Sequence, residues 1–392
     1  MEERRWEPLV GGALAARACR VAHEIAAEVD ELLPSDEVGL KGDASAALLL
    51  DRCGLPSAVS RLESALTVIT RRPAPLSLFG GVTGTSWVLR HLAEGADVDR
   101  AAERLDAAIL RHLDVPVWEE RHDLLSGLAG VGVLVAGRTD PRGMEIADRV
   151  LAHLESTATH SDAGVTWWTP ARFLPERVRA RFPDGLIDLG VAHGVPGIIG
   201  MLAAFVEHGV EPLRSGLLLE AAARWLLDAV PAREPRFGAS WPIDFHDVKR
   251  VGWCYGDAGV GAVLLRAGCA LSLPDLQATA LGILAQSAAP LAERPPRDAG
   301  FCHGAAGVAH IYNVAFQRTG DARMHAEAVR WIEEVLRWQT PGTGIGGYTS
   351  LNGVTGAWED NARLLSGAVG VALVLLAATE DDEPEWQRLF VV

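Results

Sequence analysis

The sequence predicts an all-α fold, an α/α toroid in which a ring of seven inner helices is enclosed by seven outer ones. Two observations carry that expectation. A small-residue motif followed by an apolar run occurs seven times along the 392 residues, and these runs alternate with amphipathic segments. The leading glycines of successive copies lie 39, 46, 67, 62, 48 and 63 residues apart, room for about two helices and their turns per repeat. A helix that is apolar all round must be buried, whereas one with a single apolar stripe keeps a wet face. Elements that alternate in this way close most simply into a ring, the buried set inside.

In chain order the motif reads Gly42-Asp43-Ala44-Ser45, Gly81-Val82-Thr83-Gly84, Gly127-Leu128-Ala129-Gly130, Gly194-Val195-Pro196-Gly197, Gly256-Asp257-Ala258-Gly259, Gly304-Ala305-Ala306-Gly307 and Gly367-Ala368-Val369-Gly370. Only the first copy lacks its second glycine. The run Val260 to Leu265 is typical of the segment after each motif. Between the runs, Ile146, Ala147, Val150, Leu151 and Leu154, or Met324, Ala328, Trp331, Ile332, Val335 and Leu336, recur at helical spacing. Glycine costs roughly 1 kcal/mol relative to alanine inside a helix, so paired glycines in six inner helices need a geometric reason, such as close approach near the axis. One stretch breaks the rhythm. Thr157 to Leu189, with Trp167-Trp168-Thr169-Pro170 and Pro183-Asp184-Gly185, reads as a non-helical insertion around 157–189, a long loop or small β element. It would overhang one end of the ring as a lid or as plain connection. Length alone suggests two or three domains, but the repeats make residues 1–392 one toroid domain.

Composition narrows the function. Hydrophobic residues at 49% fill a large core, and 22% charged residues argue against disorder. A net charge of −15 without a Lys/Arg run excludes nucleic acid as a partner and favours a cationic peptide. Met1 to Arg5 carry both signs of charge and do not resemble a secretory signal, and the apolar stretch near Val369 to Ala378 is too short to span a bilayer. A cytoplasmic protein with no membrane insertion is expected. Five cysteines, an odd number, do not make a disulfide framework, and Cys19, Cys53 and Cys269 read as buried thiols.

The residues just before the glycines carry the chemistry. Trp253-Cys254-Tyr255-Gly256 and Phe301-Cys302-His303-Gly304 share one register, so Cys254, Cys302 and His303 supply three soft ligands to one zinc ion. A structural zinc takes four protein ligands; three leave a position for substrate. Two thiolates against two positive charges give a nearly neutral core, and a third thiolate from a substrate would make it anionic, leaving that sulfur nucleophilic. His193, directly before Gly194, is a candidate general acid or base because its ordinary pKa lies near neutrality. Asp123 could orient it, Arg250 could stabilise developing negative charge, and Tyr255 is placed to donate a hydrogen bond. Lys41, Gly80 and Ser366 hold the equivalent place in the first, second and last copies, which read as structural. His122 and His246 fall outside the register and read as bystanders.

Gly190-Val191-Ala192-His193-Gly194-Val195-Pro196-Gly197, Trp253-Cys254-Tyr255-Gly256 and Cys302-His303-Gly304 together resemble the signature blocks of the lanthionine synthetase C-like family, the lanthipeptide cyclases. The resemblance spans nearly the whole chain. It implies an α-toroid with zinc on Cys254, Cys302 and His303, and an active-site set of Asp123, His193, Arg250 and Tyr255. The implied reaction adds a peptide Cys thiolate to the β-carbon of dehydroalanine or dehydrobutyrine, giving lanthionine or methyllanthionine in a dehydrated precursor peptide. The resulting enolate takes a proton from His193 or a water it holds. Two places depart from the family pattern: Gly252 stands where serine is common, and the first motif is weakened. Neither removes a ligand. With no dehydratase-like region upstream, the chain resembles the stand-alone cyclase, which implies a separate dehydratase and export partners.

Three rivals remain. A relative within the family would add glutathione or another free thiol to dehydrated residues. A zinc toroid of the protein prenyltransferase type would alkylate a peptide thiol, but it needs a basic pocket for diphosphate and few Lys or Arg flank these motifs. A non-enzymatic scaffold would use zinc only to brace the ring and bind peptides.

Overall fold

The computed structural model describes residues 5–71, 73–229, 251–288, 296–353 and 355–392. In chain order its α-helices are α1 (Gly12–Glu31), α2 (Asp43–Arg52), α3 (Ser57–Arg71), α4 (Val82–Leu92), α5 (Ala96–Leu113), α6 (Leu128–Val135), α7 (Pro141–Thr157), the single turn α8 (Glu176–Arg179), α9 (Val195–Glu207), α10 (Pro212–Ala229), α11 (Asp257–Ala270), α12 (Pro274–Ser287), α13 (Ala305–Thr319), α14 (Ala322–Arg337) and α15 (Ala368–Ala377). Helices α2, α4, α6, α9, α11, α13 and α15 each pack on the next, and α15 packs on α2. That closes the inner ring. Helices α3, α5, α7, α10, α12 and α14 cover the inner helix that precedes each of them, while α1 covers α15. The two ends of the chain therefore complete the outer ring together, and Leu9 and Val10 both donate backbone N–H bonds to Ala378 O at 2.9 and 3.1 Å. The architecture is the expected α/α toroid.

Patterning explains the layering. All six apolar residues singled out on α14 are buried and no others on that helix are, so its apolar stripe faces inward. The five on α7 are buried together with Gly143 and His153. By contrast, α6 and α15 are buried along their whole length. No described helix is long and apolar enough to cross a membrane. Cys19, Cys53 and Cys269 are half-buried rather than buried, and burial pushes the Cys53 thiol up to about 11.

The paired glycines have a different reason from the one expected. The leading glycine of each copy is not inside a helix but at its N-cap, from Gly42 on α2 to Gly367 on α15. The second glycine lies within the first turn, and the chain that precedes it folds back over it. A Cβ on Gly307 would stand 1.8 Å from Phe301 O, and one on Gly197 would stand 2.3 Å from Val191 O. The close approach is thus to the protein's own preceding turn, six residues back, and not across the axis.

These turns are stitched into a collar. The residue two places before the leading glycine donates its N–H to its counterpart in the next repeat: Phe79 to Leu125 O, Leu125 to Ala192 O, Ala192 to Cys254 O, Cys254 to Cys302 O and Cys302 to Leu365 O, at 2.6–3.4 Å. Beneath it, the 3₁₀ segment Glu385–Phe390 fills the ring. Phe390 stacks on Phe301 at 3.7 Å and meets Trp253 at 5.2 Å and Phe79 at 5.8 Å, while Trp253 Nε1 donates to Phe390 O at 3.0 Å.

The segment around 157–189 is more ordered than a loop. Strands β1 (Thr159–Ser161) and β2 (Gly164–Thr166) pair antiparallel, as do β3 (Thr169–Pro170) and β4 (Gly185–Leu186), and α8 makes it not wholly non-helical. Leu174, Val178 and Leu186 form a small core of its own. A third pair, β5 (Ser350–Leu351) with β6 (Trp358–Glu359), lies before α15 and had no counterpart in the expectation.

Candidate metal and catalytic centre

The collar decides where the soft ligands meet. Cys254 and Cys302 are consecutive members of it, so their side chains leave neighbouring turns at one level, and His303 follows directly. One ligand atom from each of Cys254, Cys302 and His303 lies within 4.8 Å of the others. Cys254 is buried, and Cys302 and His303 are half-buried. Two sulfurs and an imidazole nitrogen fit zinc and leave a fourth position for another ligand. Behind them, His303 Nε2 lies 3.6 Å from Asp298 Oδ2, and Asp298 Oδ1 accepts the Gly300 N–H at 2.9 Å. Burial alone would lower the His303 pKa, but Asp298 and Cys254 raise it to about 9.

One turn along the collar stands His193. Its Nδ1 lies 3.2 Å from Asp123 Oδ2, and Asp123 Oδ1 accepts the Ser126 N–H at 2.6 Å. Burial opposes charge on both groups, yet their mutual hydrogen bond and attraction prevail. Asp123 is held below its ordinary value and His193 above. Arg121 helps hold Asp123 down but opposes the rise at His193; its Nη1 lies 3.4 Å from Asp123 Oδ2 and its Nη2 donates to Phe173 O at 2.6 Å. A crevice at this point is walled by Arg121, Asp123, His193 and, from the insertion, Trp167, Pro170 and Phe173. His122, expected to be a bystander, belongs to the same wall. Its Nε2 lies 2.9 Å from Thr157 Oγ1, and burial lowers its pKa to about 4.

Tyr255 lies across Gly190, where a Cβ would come within 2.3 Å of its ring, and its hydroxyl donates to Asp188 Oδ2 at 3.0 Å. Burial, reinforced by Asp188, pushes its pKa well above the usual value, so the phenol keeps its proton. Asp188 itself is raised to about 6 by burial, which His193, the Gly190 N–H and Tyr255 only partly offset. Arg250 and His246 lie outside the described residues. Of the three places read as structural, Ser366 accepts on its hydroxyl from Asn361 Nδ2 at 3.1 Å and on its carbonyl from the Ser350 hydroxyl. Lys41 is exposed and runs alongside Gly80.

Sequence reasoning passed over Asp188, Asp298 and Arg121. All three stand six residues before a leading glycine, the place Arg250 holds in its own repeat, and that shared offset is the signal that could have found them.

The sequence profile of the lanthionine synthetase C-like protein family matches residues 55–391. The chain belongs to the lanthionine synthetase C-like family. In three dimensions it is similar to nisin cyclase, with a TM-score of 0.73 and 14% identity over 95% of this chain and 96% of that one. At that identity the likeness establishes the toroid. A sugar epimerase from a ruminal bacterium aligns over 76% of this chain and 87% of its own at 11% identity and a TM-score of 0.49, and carries no argument. No curated protein matches in sequence. The family match begins after α2, leaving out the weakened first motif, and takes in every candidate site residue of this lanthionine synthetase C-like chain.

Proposed function

We propose that the chain is a zinc-dependent lanthipeptide cyclase that forms thioether rings in a dehydrated precursor peptide. The observation that carries the reading is the convergence of Cys254, Cys302 and His303 within 4.8 Å, one turn of the collar away from the His193–Asp123 pair. Zinc held by those three residues would supply an open position that keeps a substrate thiol deprotonated at neutral pH.

The chain's own groups account for the rest. Seven inner helices all begin at this end, each directly after its turn, so their N-terminal partial positive charges converge on the mouth and favour anions there. The substrate sulfur attacks the β-carbon of the dehydro residue, the carbon–sulfur bond forms, and the electron pair moves to the neighbouring carbonyl as an enolate. Asp123 bonds Nδ1 of His193 and favours its cationic form, so the remaining ring nitrogen delivers a proton to the α-carbon. One proton leaves the thiol and one arrives at carbon, so peptide mass does not change. Arg250 is proposed to stabilise the enolate, and Tyr255, directly after Cys254, has its hydroxyl engaged by Asp188. The 157–189 insertion, which walls the same crevice as Asp123 and His193, serves in this reading to exclude water. A cytoplasmic location, a separate dehydratase and an exporter belong with the same proposal.

Incubation of the purified protein with a dehydrated, Cys-containing peptide tests it. Loss of the free thiol at constant mass is expected. A mass increase that requires added glutathione would instead establish intermolecular thiol addition.

A further inference from the structure

Three buried side chains share one place in the repeat, six residues before a leading glycine: Asp188, Asp298 and Asn361. Each shapes its turn by accepting the N–H two residues on, from Gly190 at 2.8 Å, Gly300 at 2.9 Å and Arg363 at 2.9 Å. That bond uses one oxygen. The other polar atom reaches a side chain directly before a leading glycine. Asp188 Oδ2 accepts from Tyr255, Asp298 Oδ2 faces His303 Nε2 at 3.6 Å, and Asn361 Nδ2 donates to Ser366 Oγ. Asn361 shows that the turn itself can be made by a neutral amide. A buried charge is costly unless it is paired or hydrogen-bonded, so carboxylates at 188 and 298 call for a reason beyond the turn. The reason lies in their partners: the carboxylates occur where the mouth residue is a phenol or an imidazole, and the amide occurs where it is a serine.

We propose that Asp298 and Asp188 are positioning residues of the centre, Asp298 fixing the ring of His303 for the metal and Asp188 fixing the phenol of Tyr255. The first half rests on the zinc reading and deepens it. A carboxylate bonded to the far nitrogen of a metal-ligating histidine holds its tautomer and orientation, and losing it typically costs about 10–100-fold in metal affinity. Asp298 Oδ2 also lies 3.4 Å from the Leu351 N–H, so the same oxygen ties β5 to the metal turn.

The test is zinc affinity by chelator competition for the wild type, Asp298→Asn and Asp188→Asn, with thermal melts alongside. Asparagine retains an acceptor for the turn. Asp298→Asn should bind zinc about 10–100-fold more weakly. Asp188→Asn should bind zinc as the wild type does, yet lower kcat on a dehydrated peptide as Tyr255→Phe does, with the double variant no worse than either. Wild-type affinity in Asp298→Asn, equal zinc loss in both variants, or additive Asp188 and Tyr255 effects would overturn the assignment. A wild type that takes up no zinc would sink the zinc reading and the His303 half with it. Should Asp298→Asn not fold, a crystal of the zinc-loaded wild type decides: the carboxylate must hydrogen-bond the His303 nitrogen that is not on the metal.

Discussion

The amide of Cys254 donates to the carbonyl of Cys302 at 3.0 Å. That bond is one link of the collar, and it makes two cysteines 48 residues apart neighbours at the mouth of the ring. The ligand geometry is therefore a property of the repeat and not of a dedicated metal-binding loop. A side chain at the same place in any repeat emerges at the same level, and only two repeats carry cysteine there.

If the proposed roles hold, His193→Asn should bind zinc as the wild type does, because the residue is proposed as a proton donor and not a ligand. General acid catalysis contributes about 10²–10⁴-fold, so ring closure should slow by that order or give misdirected rings. Metal analysis beside peptide mass spectra checks both parts, and loss of zinc in this variant would count against the role.

Asp123→Asn should lower the His193 pKa, since burial would then act without its counter-ion. The rate profile should lose activity at lower pH than the wild type does. Stability follows the same signs. The raised His193 contributes stability that is fully present below its ordinary pKa of about 6.5 and is lost as pH rises through its folded value. The depressed Asp123 contributes above its ordinary value of about 3.9, and that contribution is lost as pH falls through its folded one. The gap between the melting temperatures of wild type and variant should therefore be widest between those two folded values and narrow as pH moves past either, and a gap independent of pH would contradict the pairing.

Gly307→Ala should destabilise by about 1–3 kcal/mol despite alanine's better helix propensity, because the new Cβ meets Phe301 O at 1.8 Å. Gly282→Ala, at an exposed site in α12 with nothing within 4 Å, should instead stabilise by about 0.4–1 kcal/mol. Denaturant midpoints of the two variants must move in opposite directions.

Phe390→Ala should cost about 3–5 kcal/mol, the range for emptying a buried aromatic site. Its ring fills the space beneath Trp253 and Phe301, each one residue before a cysteine of the candidate metal cluster. Chemical denaturation measures the loss, and a value below about 1 kcal/mol would show that the ring closes without this plug.

Much of this was legible because helical periodicity and a repeated glycine pair are local signals. The inner runs and the stripes of α7 and α14 follow from side-chain spacing within one repeat, and the clustering of Cys254, Cys302 and His303 follows from a register that two repeats share. The glycines were recognised as constrained, but their constraint is a turn folded over the helix start, which spacing alone does not reveal. Asp188 and Asp298 escaped notice because their partners, Tyr255 and His303, lie 67 and 5 residues away in different relations to the repeat. The β5–β6 pair is two residues per strand, too short for alternation to register.

The most direct measurement is the zinc content of folded wild-type protein set beside that of Cys302→Ala. The account requires a single zinc ion per wild-type chain, its loss in the variant, and abolition of thiol consumption on a dehydrated peptide. A variant that keeps full turnover and merely melts at a lower temperature would show that the metal only braces the ring.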